Sequence, residues 1–228
     1  MDRLLLLRHA VTEETGKRLS GWLPGLHLSE QGRQQAKTLA ERLAPLKIDA
    51  LYASPLERCQ ETAAAVASVK GLEVTVAPDL GEVRYGDWTG RALRDLAKLP
   101  LWRVVQGNPS AMRFPDGELP GESLYEMQTR AVAALERLRA AHPRQTVAVC
   151  SHADVIKAVA AHYLGMHLDQ YQRLVVAPAS LTAFGFAPLP YLLRLNDVGL
   201  DDTALEVPPQ PPQPEQLRLL EDPVDGQP

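Results

Sequence analysis

Two short apolar runs, far apart in the chain, end in the same way. Leu4-Leu5-Leu6-Leu7 runs into Arg8-His9-Ala10, and Thr146-Val147-Ala148-Val149-Cys150 runs into Ser151-His152-Ala153. A continuous apolar run followed by the polar, glycine-containing segment 12–25 reads as a strand covered on both faces, hence part of a parallel or mixed sheet. Ligands of such sheets sit at the carboxyl ends of the strands. Taken alone, each histidine has a plain reading as a strand-end side chain bonded to its own loop. The repetition favours a different one, because histidines ending two buried strands can face each other across one pocket. A guanidinium there can clamp phosphate oxygens, and an imidazole can act as nucleophile or acid–base group.

Composition narrows the partners. At 228 residues and 45% hydrophobic content, the chain can bury one substantial α/β core, with or without an appendage. Its 24 Lys and Arg against 28 Asp and Glu give a formal charge of −4, which argues against a nucleic-acid partner and makes any positive site a local one. Cys59 and Cys150 form no Cys-x-x-Cys pattern and stand beside no histidine cluster, so they read as buried free thiols rather than zinc ligands. The four leucines before Arg8 are too few for a signal-peptide core or a membrane span; the expectation is a cytoplasmic protein with no membrane partner.

Between the two runs, strand and helix patterns alternate, which says α/β. Ser29 caps a predicted helix over 30–44 closed by Pro45. A strand over 48–54 leads through Pro55 into a helix over 56–69, with Arg58 in its first turn. A cation there can add to the positive end of the helix dipole and hold an anion, or it can pair with Glu57 or Glu61. After a strand over 72–76 comes the loop 78–90, with carboxylates Glu82 and Asp87 and the packing residues Tyr85 and Trp88. A short helix over 91–99 is stopped by Pro100, and the irregular segment 107–121 can serve as a lid. The strongest helix, 122–142, ends at Pro143. A helix over 154–164 ends at Gly165, and two late strands, 179–187 and 191–195, leave antiparallel pairing open. The proline-rich stretch 208–214 marks 201–228 as a tail, separate from a domain over 1–200, with Leu217, Leu219 and Leu220 able to dock.

Six short motifs, in order, resemble the histidine phosphatase superfamily, also called phosphoglycerate mutase-like. They are Arg8-His9-Ala10, Leu28-Ser29-Glu30-Gln31-Gly32, Ser54-Pro55-Leu56-Glu57-Arg58, Glu82-Val83-Arg84-Tyr85-Gly86, Pro120-Gly121-Glu122-Ser123 and Ser151-His152. The stretch 80–109 and Pro178-Ala179-Ser180 are similar to a subgroup of probable phosphomutases. The resemblance implies a three-layer α/β/α sandwich with a mostly parallel sheet, phosphoryl transfer through a phosphohistidine, and no metal or cofactor. It makes His9 the nucleophile and Arg8, Arg58 and His152 the rest of a phosphate pocket, with His152 protonated. Glu82 becomes the proton donor, and Thr15, Ser20, Gly21, Tyr85 and Ala153 the substrate contacts.

The chain departs from the family pattern in places. Alanine stands at Ala10 and Ala153, where glycine usually follows each histidine; smallness alone is the expected requirement, since a positive φ would cost alanine about 1–2 kcal/mol. Thr15 takes the place of an asparagine and can still donate a hydrogen bond. The segment 101–104 holds one arginine, Arg103, where glycolytic mutases carry a longer substrate-binding insertion. Hydrolysis of a small phosphomonoester is therefore favoured over a mutase reaction, with non-catalytic phospho-ligand binding third. Arg91, Arg94, Arg103 and Arg113 are candidates for an acidic substrate. A small phosphorylated metabolite is the expected partner, and a homodimer is left open.

Overall fold

A computed structural model describes residues 1–187 and 189–199. In chain order its elements are β1 (Arg3–Arg8), α1 (Glu30–Leu43), β2 (Ala50–Ala53), α2 (Glu57–Lys70), β3 (Val74–Val76), the short α3 (Leu93–Leu96) and α4 (Pro100–Gly107), α5 (Leu124–Ala141), β4 (Thr146–Ser151), α6 (Ala153–Tyr163), β5 (Leu181–Phe186) and β6 (Pro190–Asp197). The strands form one sheet in the order β3-β2-β4-β1-β5-β6. The first four run parallel, and β5 and β6 pair antiparallel at one side.

The two apolar runs lie next to each other as β1 and β4. Leu7 pairs with Cys150 and Arg8 with Ser151, so His9 and His152 leave the same edge one residue later. The His9 amide bonds the Ser151 carbonyl at 3.0 Å, extending the ladder into the site.

Alternation along these strands divides the core into two layers. Leu5, Leu7, Ala148 and Cys150 pack with Ala36, Leu39 and Leu43 of α1 and Cys59, Ala63 and Val66 of α2. Leu4, Leu6, Val147 and Val149 face the other way, onto Ala131 and Leu135 of α5 and Val155, Ile156 and Val159 of α6. Helices thus cover both faces of a mostly parallel sheet, the three-layer arrangement expected. Both cysteines are buried free thiols.

Local chemistry explains most boundaries. The Ser29 hydroxyl accepts the Gly32 amide at the start of α1, and Gly71, at φ 63°, ends α2 in the left-handed region glycine favours. Two expectations at proline are corrected. Helix α2 begins at Glu57, two residues beyond Pro55, with Leu56 as its cap. Pro100 opens α4 instead of closing the preceding helix, because its missing N–H is harmless in a first helical turn. The segment 107–121 is also less free than a lid. Pro109, Met112 and Phe114 are buried, Arg113 bridges to Ser123, and the longest exposed run is 116–120. Among the described residues no helix is long and apolar enough to cross a membrane. The tail, with Leu217, Leu219 and Leu220, lies outside the described residues.

Candidate active site

The parallel register brings His9 and His152 edge to face, ring centroids 5.2 Å apart. His9 Nδ1 lies 2.8 Å from the carbonyl of Ala10. A carbonyl only accepts, so the proton sits on Nδ1 and the lone pair on Nε2. Burial, then Arg58 and Arg8, hold the His9 pKa well below the usual imidazole value. The result is a neutral imidazole whose free lone pair is assigned to Nε2 by a backbone contact. The Ala10 amide, in turn, bonds Thr62 Oγ1 at 3.1 Å, which fixes the turn that carries that carbonyl.

His152, fully buried, is likewise neutral: burial, then Arg58, His9 and Arg8, lower its pKa. That corrects the expectation of a charged second histidine. Its Nδ1 accepts from Arg58 Nη2 at 3.3 Å, which leaves Nε2–H to donate to Ser54 Oγ at 2.8 Å.

The arginines converge with no carboxylate paired to either among the described residues. Arg58 is 3% exposed, and its Nη2 donates to the Gly21 carbonyl at 3.0 Å. The surface-pairing alternative fails because Glu57 accepts from the Gly25 amide and Glu61 pairs with His27 and the Leu28 amide. Arg8 Nη1 donates to the Val176 carbonyl at 2.6 Å. Arg8 Nε and Arg58 Nη1 remain buried donors with no partner among the described residues. Buried N–H groups of a cation are strongly disfavoured unless something accepts from them, so this cup is built for an anion.

Glu82 closes the group. Its Oε2 lies 3.6 Å from His152 Nδ1, and its side chain is 12% exposed. Burial, then the neighbouring Asp154, push its pKa up to about 7, against the opposing pull of Arg58 and Arg8. Burial supplies the shift before any phosphate arrives. Asp154 also accepts from the Tyr85 hydroxyl at 3.1 Å.

The expected substrate contacts are placed as follows. Gly21 needs to be glycine: its φ is +53° and a Cβ would come within 3.0 Å of the Tyr85 ring. Thr15 turns its hydroxyl to the Thr12 amide and hydroxyl, stiffening its own loop. Ser20 accepts the Leu23 amide through its carbonyl. Ala153 is the first residue of α6, and neither it nor Ala10 has a positive φ, so smallness suffices. The strained alanine is Ala179 instead, at φ 55°, where its amide reaches the carbonyls of Arg8 and His9.

A cavity of about 350 Å³ is lined by Trp22, Arg84, Tyr85, Gly86, Thr89, Leu119 and Pro120. It adjoins Glu82, whose carbonyl accepts from Trp22 Nε1 at 2.6 Å. None of Arg91, Arg94, Arg103 or Arg113 lines it; Arg91 pairs with Asp87 and Arg113 with Glu126. The arginine at this cavity is Arg84, stacked over Trp22 at 5.3 Å. Nothing in the local sequence pattern singled out Trp22 or Arg84 as partners, because they meet only through the fold.

Residues 4–197 match the model of the histidine phosphatase superfamily, branch 1. Phosphoserine phosphatase 1 of Hydrogenobacter thermophilus is 34% identical over 173 residues, covering 75% of this chain and 80% of its own length. A probable phosphoglycerate mutase of Photorhabdus laumondii is 28% identical over 214 residues, 91% of this chain and 97% of its own. The native structure of a mycobacterial glucosyl-3-phosphoglycerate phosphatase superposes with a TM-score of 0.76 at 28% identity, covering 86% of this chain and 98% of that one.

Proposed function

From its membership of the histidine phosphatase superfamily, to which this chain belongs, we propose that it hydrolyses a small phosphomonoester through a phosphohistidine on His9. Neutral His9 presents Nε2 to phosphorus while the unpartnered N–H groups of Arg8 and Arg58 take the non-bridging oxygens. Charge neutralisation and positioning are most of what phosphoryl transfer requires. An incoming phosphate also offsets the arginine charge that, after burial, holds His152 neutral, so this imidazole can gain a proton as the dianion settles. Glu82, with a pKa near 7, keeps a substantial protonated fraction at neutral pH, and in that form gives its proton to the departing alkoxide. As carboxylate it then takes a proton from the water that attacks phosphohistidine, and inorganic phosphate leaves.

The observation that carries this reading is one pair of facts: a histidine tautomer fixed by the Ala10 carbonyl, beside two buried guanidinium donors with nothing to bond. The cavity next to Glu82 has the position to receive the alcohol part. The names of similar proteins, a phosphoserine phosphatase and a glucosyl-3-phosphoglycerate phosphatase, support a small phosphorylated metabolite as substrate.

A panel of phosphorylated metabolites tests it. At least one member should release phosphate steadily, with the same rate in EDTA, and His9→Ala should abolish release. Conversion of a phosphorylated sugar acid to its isomer faster than phosphate release would replace hydrolysis with a mutase reaction. Tight phosphate binding with no turnover on any member would leave a binding protein.

A further inference from the structure

Glu82 belongs to no regular element. It sits between two single-turn 3₁₀ helices, Pro78–Leu80 and Gly86–Trp88, in a stretch that no sheet ladder or helix holds. A proton donor must nonetheless keep its place to a fraction of an ångström, so something outside the loop has to hold it.

Arg130, in the second turn of α5, does so with its whole guanidinium. Nη1 donates to the carbonyls of Asp79 at 2.7 Å and Gly81 at 2.9 Å, and Nη2 to that of Glu82 at 2.8 Å. Nε and Nη2 also grip the two carboxylate oxygens of Glu122, at 2.9 and 2.6 Å. A guanidinium has five N–H groups, and these five bonds engage them all. Glu122 completes the frame from the other side: its Oε1 accepts the Arg84 amide at 2.8 Å, and its own amide bonds the Arg84 carbonyl at 2.9 Å. The backbone is thus fixed at 79, 81, 82 and 84, while the Glu82 carboxyl rests Oε1 on the Val83 amide at 3.0 Å and turns Oε2 to His152. Both side chains are largely buried, 19% and 10% exposed.

We propose that Arg130 and Glu122 are positioning residues for proton transfer: a buried clamp that aims the Glu82 carboxyl at the leaving oxygen. With every N–H occupied, Arg130 has none to offer a substrate. This inference rests on Glu82 as proton donor, and the experiment separates the two.

The comparison is of kcat/KM, which reports departure of the alcohol and not the later water step that both esters share, on an alkyl phosphomonoester, whose alkoxide must be protonated to depart, and on p-nitrophenyl phosphate, whose phenolate departs without a proton. Glu82→Gln should lose at least 10²-fold in kcat/KM on the alkyl ester, in the range removal of a general acid costs, and far less on the nitrophenyl ester. Arg130→Gln should reproduce that selectivity, with a loss in kcat/KM on the order of 10²-fold on the alkyl ester, the effect of a misplaced catalytic group, and a far smaller one on the nitrophenyl ester. Arg130→Lys keeps the charge but not the fork, and should fall between. If Arg130→Gln folds poorly, the lysine variant carries the same comparison, with inorganic phosphate inhibition reporting an intact cup. Equal losses on both esters, or none on either, would overturn the clamp. Equal losses in Glu82→Gln would overturn the proton-donor reading, and the clamp's purpose with it.

Discussion

Timing of the proton at Glu82 follows from its surroundings. A pKa of about 7 means that protonated carboxyl, the form able to donate, is lost as pH rises through neutrality. For an alkyl ester, kcat/KM should therefore fall about tenfold per pH unit on the alkaline side of that value. Glu82→Gln should flatten the limb while lowering the whole profile. An alkaline limb that persists unchanged in Glu82→Gln would assign the titration to another group. Much at this scale could be read from the chain: Arg8, His9, Arg58, Glu82 and His152 all stand in motifs, and the structure gathers them. What could not be read was charge state and support. His152 is neutral because of how deeply the fold buries it beside Arg58, and burial is not visible in a motif. Nothing in the sequence marks Arg130, since its three carbonyl partners lie about 50 positions away.

Helix α5 delivers that support, and its first turn is held by a reciprocal cap. Ser123 Oγ accepts the Glu126 amide at 3.0 Å, and Glu126 Oε2 accepts the Ser123 amide at 2.7 Å. Ser123→Ala should cost about 1 kcal/mol and lower the melting temperature by about 2–4 °C, the scale for a chain of this size. Calorimetry checks it; an unchanged midpoint would mean the cap adds nothing to the packing already present. Long, periodic elements such as α1, α5 and α6 were legible because apolar spacing and caps agreed. The region 91–121 was not: Pro100 can end one helix or begin another, and only tertiary packing of Met112 and Phe114 decides that the following segment is anchored instead of loose.

Across the whole molecule, the site exists because four parallel strands end at one edge. β1 and β4 are separated by more than a hundred residues in sequence yet share a ladder, so the cup forms only when the sheet does. The alternation of strand and helix made this architecture readable, while the pairing of β5 and β6 was open because antiparallel addition at an edge leaves no signature in either strand. Trapping tests the assembled cup most directly. The enzyme is mixed with a turned-over phosphomonoester, quenched in base within one turnover, and digested for mass spectrometry. A single phosphoryl group on the peptide holding His9, labile to acid and missing in His9→Ala, is the predicted result. Phosphate release at full rate by His9→Ala, or the label on any other residue, would contradict it.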